Sequence, residues 1–162
     1  MAVSIISWLF AIPLLGFATG LRTFTPLAVI CWATRFGYLS TEGTWAAWTG
    51  HLWVAILVSV IAAGEIIGDK LPKTPNRTAP MPLIARMTLG GLGGAICATA
   101  ISGPGLEGTL LGIAGAIVGA FAGFMLRREI VQKLGCSDWH VAVVEDLLTI
   151  AAATFAIHVV TS

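Results

Sequence analysis

Residues 109–126 read TLLGIAGAIVGAFAGFML, eighteen positions without one charged side chain. A helix crossing the hydrocarbon core of a bilayer needs about 20 apolar residues, so this stretch has the length and composition of a membrane span. Four more runs share its character: Ala2 to Gly20, Leu52 to Gly68, Met81 to Ser102 and Trp139 to Val160. The whole chain agrees with its parts. Of 162 residues, 9 are Lys or Arg and 8 are Asp or Glu, so 10% are charged against 57% hydrophobic, with a mean hydropathy of +0.91. A soluble domain carries charge on about 25% of its residues, and a water-facing shell cannot be built from so few. The expected fold class is therefore all-α, a polytopic membrane helix bundle forming one transmembrane domain over residues 1–162, with the lipid bilayer as its main partner. The same figures exclude a disordered chain, and the net charge of +1 excludes a nucleic-acid binder with a basic face.

The segment FTPLAVICWATRFGYL, Phe24 to Leu39, decides between five and six spans. It is short, begins with Pro26 where a first helical turn accepts proline, and contains Arg35; it reads as a short sixth span or a re-entrant segment. Loop charge sets the orientation, because cytoplasmic loops retain Lys and Arg. The stretch 69–80 holds Lys70, Lys73 and Arg77, and the stretch 127–138 holds Arg127, Arg128 and Lys133. Both are expected to be cytoplasmic loops, with the C-terminus outside. With six spans Arg22 joins that face and only Arg35, Glu42 and Glu107 lie opposite, so six is preferred. A weak internal echo points the same way: IPLLGFATGL from Ile12 and MPLIARMTLG from Met81 align at a constant offset of 69. Two units of three spans, 1–78 and 79–162, would form an inverted repeat of the kind common in transporters.

Three cysteines at scattered positions, Cys31, Cys97 and Cys136, suit neither a disulfide framework nor a metal cluster. The N-terminus lacks the basic start of a cleavable signal and reads as the first span. No zinc-protease helix motif, paired CxxC, nucleotide loop or nucleophile elbow occurs, so no cofactor is expected.

The candidate chemistry lies in charges within or beside spans. In GEIIGDKLPKTPNRT, residues 64–78, Glu65 and Asp69 share one helix face, and a carboxylate inside a span marks a functional site by default. The prolines that follow place Lys73 and Arg77 in an extended loop near anionic head groups; the plainer reading of that loop is an ordinary positive-inside segment. In the last span, Glu145 and Asp146 sit about 10 Å along the helix. They point about 100° apart, and the cations available to them are Arg22, Arg86, Arg127 and Arg128. Such a set either locks helices together or lines a site for an anion or a proton. In GFATGLRTFTP, residues 16–26, the break before Pro26 exposes backbone amides beside Arg22, which suits phosphate or carboxylate; the plainer reading is a tight turn. Gly112, Gly115, Gly119 and Gly123 form overlapping GxxxG steps whose usual meaning is close helix packing, within the fold or in a dimer.

Taken together, GLRTFTPL at 20–27, GEIIGDKLPKTPNRT at 64–78 and the Pro-Leu-Ile-Ala-Arg at 82–86 resemble a family of small bacterial membrane proteins known as a domain of unknown function (number 4126). The resemblance implies a polytopic membrane protein and brings no activity with it. The residues themselves favour a small transporter or channel-like protein for an ion or an anionic, lipid-like solute, able to form a homo-oligomer. The first alternative is an enzyme acting on a lipid phosphate, with Glu65, Asp69 and Asp146 holding Mg²⁺ and Lys73, Arg77 and Arg86 holding the phosphate. The second is a structural membrane subunit with no site.

Overall fold

A computed structural model describes residues 2–68, 79–134 and 138–161. Six α-helices account for most of them: α1 (Ala2–Leu21), α2 (Thr25–Arg35), α3 (Leu52–Gly68), α4 (Pro80–Ala100), α5 (Gly105–Leu134) and α6 (Asp138–Thr161), with a single 3-10 turn at Ala47–Gly50. No strand occurs among the described residues. The segments 80–100, 105–130 and 141–161 are each long and apolar enough to cross a membrane, and Trp8–Leu21 and Leu52–Gly68 are shorter apolar helices.

Side-chain size is sorted in the sense lipid favours. The buried positions are mostly small, among them Ala11, Ala18, Ala55, Cys97, Ala116, Ala120 and Ala153, while Trp53, Leu106, Val118, Met125 and Leu147 are exposed. Water would drive the large apolar groups inward. Lipid removes that drive, and helices then associate through small residues that let backbones approach.

Glycine makes the tightest of these approaches. A Cβ at Gly16 would meet the backbone of Gly112, and one at Gly20 would fall 2.7 Å from the Gly119 carbonyl carbon. On its other side Gly112 faces Gly90 and Gly94 of α4, and Gly115 and Gly119 face Pro13 and Phe17 of α1. Gly112, Gly115 and Gly119 of α5 are thus spent inside the fold, where α5 is gripped between α1 and α4. α1 also packs on α6, α2 packs on α3 and α6, and among the described elements α3 has its extended contacts with α2 and the 3-10 turn.

Successive helices alternate in direction. The indole of Trp32 on α2 donates to Ser59 Oγ on α3 at 3.0 Å, and the backbone just before α2 meets Glu65 near the end of α3, so these two run antiparallel. Trp45 in the α2–α3 connection donates to Thr99 at the end of α4 at 3.1 Å. The ends near residues 22, 65, 86, 127 and 145 therefore share one side of the molecule, as the six-span reading requires.

Two boundaries depart from expectation. The segment 24–39 supplies only an 11-residue helix, about 16 Å long at 1.5 Å per residue, because Phe36 caps α2 and Gly37 turns the chain at a φ of 79°. It is half the thickness of a hydrocarbon core. The stretch 127–138 is not all loop: α5 continues through Leu134 for 30 residues. Arg, Glu, Gln and Lys favour helix, and Glu129 and Lys133 pair at 2.6 Å one turn apart. The two halves also use their members differently. α2 has 11 residues and its positional counterpart α5 has 30, and α1 lies along α5 whereas α2 barely meets α4.

Candidate functional site

The link from α1 to α2 is the centre of the charged end. α1 stops at Leu21, and Pro26 stands in the first turn of α2, where its missing N–H costs no helical bond. The two amides ahead of α2 are consequently free of helical partners, and a helix N-terminus carries a partial positive charge. An anion does sit there, and the chain supplies it. Glu65 Oε1 accepts the Thr23 N–H at 2.7 Å and Oε2 accepts the Phe24 N–H at 2.9 Å.

Arg86, two turns into α4 and 3% exposed, stands beside this contact. Its NH1 donates to the Gly20 carbonyl at 2.9 Å, and its NH2 is 4.0 Å from Glu65 Oε1. Arg22 is fully buried, with Nε 2.6 Å from Asp146 Oδ1. Arg127 NH1 lies 3.7 Å from Glu145 Oε2. The neighbours Glu145 and Asp146 thus serve different cations, as their angular separation on a helix demands. Each of these three ion pairs joins different elements, so together they involve the α1–α2 link and α3 to α6. Charges within apolar segments are costly unless they are paired.

The sequence-derived set separates into three groups. Arg22, Glu65, Arg86, Arg127, Glu145 and Asp146 converge at one end. Arg128 is exposed and stands apart from these pairs. Asp69, Lys73 and Arg77 lie outside the described residues, and with them the Glu65–Asp69 face. Among the described residues no group of three His, Cys, Asp or Glu side chains could hold a metal ion, and Glu65 already accepts two backbone amides.

A feature at the opposite end escaped the sequence reading. The α2–α3 connection encloses a half-open cleft of about 530 Å³ lined by Arg35, Glu42, His51 and the hydroxyls of Thr34, Ser40 and Thr41, among others. Next to the lining residue Thr34, Thr49 donates to the Ala46 carbonyl at 2.8 Å and contacts the Thr34 hydroxyl at 3.3 Å. The signal available in the sequence was length: residues 36–51 make a connection longer than most in compact domains, and such loops are commonly functional. The charged end and the cleft lie at the two ends of α2, so about 16 Å of helix separates them.

An all-helical bundle with small residues inside, large apolar residues outside and a buried charge cluster at one end is a polytopic membrane protein. The chain belongs to the family described as Domain of unknown function (DUF4126), whose model matches residues 9–161. No curated protein and no solved structure matches it.

Proposed function

We propose that this protein binds a small oxyanion at its charged end and passes it across the membrane along α2. The observation that carries this reading is the carboxylate of Glu65 held by two backbone amides at the start of a half-length helix, beside the buried Arg86. Transporters commonly place the N-termini of discontinuous helices against anionic groups near the bilayer midplane. The short α2 brings that N-terminus close to a cleft opening at the other side. The charged end is assigned to the cytoplasmic face, since Arg22, Arg86, Arg127, Arg128 and Lys133 gather there, and the membrane to the bacterial inner membrane.

The test is uptake of labelled phosphate, acetate, sulfate and chloride into proteoliposomes. Flux of at least one anion should exceed that of empty vesicles and fall in Arg86→Gln and Glu65→Gln. If every flux equals the empty-vesicle value, or neither substitution changes it in folded protein, transport is refuted.

One observation favours a second reading, a structural clamp. Among the described residues three ion pairs bridge the elements at this end, and α3 is tied to the bundle there through Glu65. A clamp predicts loss of stability in both variants with no flux in either. The Mg²⁺ enzyme has no such observation behind it.

A further inference from the structure

We infer that the cleft enclosed by the α2–α3 connection binds a phosphoethanolamine group, a phosphate joined to a primary ammonium, as the head of an aminophospholipid carries it. The inference concerns the end of the molecule opposite the charged cluster and does not rest on the anion-binding reading above.

The connection is folded onto the bundle and gives the cleft a fixed wall. Leu39 and Thr41 are each 1% exposed, Thr49 is fully buried, and the Tyr38 amide donates to the Ala33 carbonyl at 2.9 Å. Left-handed turns at Gly37 and Gly43, with φ of 79° and 72°, bend the chain around the opening. Its volume of about 530 Å³ is that of a small-molecule pocket. Two opposite charges line this space: Arg35, the last residue of α2, and Glu42. Among the described residues neither side chain makes an ion pair or a hydrogen bond, with the other or elsewhere. The cleft therefore keeps a cation and an anion apart, and a ligand that satisfies both carries both signs.

The threonine hydroxyls fix the rest of the chemistry. Thr34 gives its proton to the Ile30 carbonyl at 3.0 Å, and its neighbour Thr49 gives its proton to the Ala46 carbonyl at 2.8 Å. Thr41, 3.4 Å from the Thr49 hydroxyl, is then the donor in that contact. A hydroxyl has one proton and two lone pairs, so Thr34 and Thr41, with their protons spent within the fold, present lone pairs to the cleft, as the Glu42 carboxylate does. Such a wall calls for a ligand with several donors, which a primary ammonium supplies and a quaternary ammonium lacks. Quaternary ammonium groups are held instead by aromatic cages, and among the described residues no Phe, Tyr or Trp lines this cleft. The Arg35 guanidinium suits phosphate, which accepts its paired N–H groups. The level in the membrane selects a lipid as the source. Tyr38, Trp45 and Trp53, on the segments that bound the cleft, are 71%, 55% and 80% exposed, and exposed Tyr and Trp collect at the head-group layer. Trp45 is tied to Thr99 at 3.1 Å, where the apolar segment 80–100 ends.

The experiment is native mass spectrometry of the full-length protein in detergent micelles, titrated with phosphatidylethanolamine, phosphatidylcholine or phosphatidic acid. The wild type should take up phosphatidylethanolamine at least about tenfold more tightly than phosphatidylcholine, the worth of the hydrogen bonds that only a primary ammonium makes. Glu42→Gln should abolish that preference without weakening phosphatidic acid, which has no ammonium. Arg35→Gln should weaken all three lipids by about tenfold, because each carries the phosphate. Both residues are exposed, so both variants are expected to fold, and circular dichroism checks that they do. A parallel arm titrates soluble O-phosphoethanolamine calorimetrically: its binding without a lipid preference assigns the site to a free solute, and the lipid preference assigns it to a head group. Equal affinity for phosphatidylethanolamine and phosphatidylcholine, together with no binding of the soluble compound, overturns the inference. A preference that survives Glu42→Gln overturns it as well.

Discussion

Removing the Arg22 guanidinium tests the energetics of the charged end most directly. Arg22 is fully buried and its Nε lies 2.6 Å from Asp146 Oδ1, on a side chain 14% exposed. With charge centres about 4 Å apart and an effective dielectric constant of about 20, their attraction is about 4 kcal/mol. Deleting one member of a buried pair leaves the other charge desolvated without compensation, which costs about 3–5 kcal/mol. Arg22→Met should therefore lower the free energy of unfolding by that amount, and so should the single change Asp146→Leu, which removes the counter-charge of the fully buried Arg22. The double variant Arg22→Met/Asp146→Leu should recover part of the loss, giving a coupling of about 3 kcal/mol in the double-mutant cycle. Reversible unfolding by dodecyl sulfate in mixed micelles, followed by far-ultraviolet circular dichroism, measures all four proteins. A coupling below about 1 kcal/mol, the range of exposed pairs, would refute the view that this end is a desolvated electrostatic network.

Two further outcomes use the same titration. In Gly112→Ala the new methyl would sit 2.9 Å from the Gly90 carbonyl carbon and 3.3 Å from Gly94 Cα, both backbone atoms that cannot step aside, for a cost of about 1–3 kcal/mol. In Gly64→Ala it would meet nothing within 4 Å, and helix propensity makes the change neutral or stabilising by up to about 1 kcal/mol; the opposite order would disprove the packing of α5 between α1 and α4. Arg128→Gln should stay within about 0.5 kcal/mol of the parent, since Arg128 is exposed, whereas Arg127→Gln should cost more because Glu145, its partner at 3.7 Å, is 7% exposed. Equal effects of the two would show that the Arg127 pair is not sequestered.

Much of the site was legible from residue type and depth alone. Arg22, Arg86, Glu145 and Asp146 stood out because a charge within an apolar run requires a partner, and the break before Pro26 stood out because it frees amides that attract an anion. Partner choice was not legible. Four arginines were available to two adjacent carboxylates, and which of them meets Glu145 or Asp146 depends on how α6 is rotated against α1 and α5. Nor did local pattern reveal that the anion at the amides of Thr23 and Phe24 is Glu65, some forty residues away. The extent of α5 was misread for a different reason: hydropathy reports where lipid ends, and a helix of Arg, Glu, Gln and Lys does not end there.

By itself the sequence determined the solvent, the all-helical class and the end at which charge collects, since these follow from composition, span length and the distribution of a few Lys, Arg, Asp and Glu residues along the chain. The tertiary structure decided the pairing of those charges, the half-length of α2, the consumption of the α5 glycines within the fold and the cleft at the far side. Each of these depends on the distance and rotation between helices. Such quantities arise when backbones close on one another through glycine, and they have no counterpart in the order of residues along one helix.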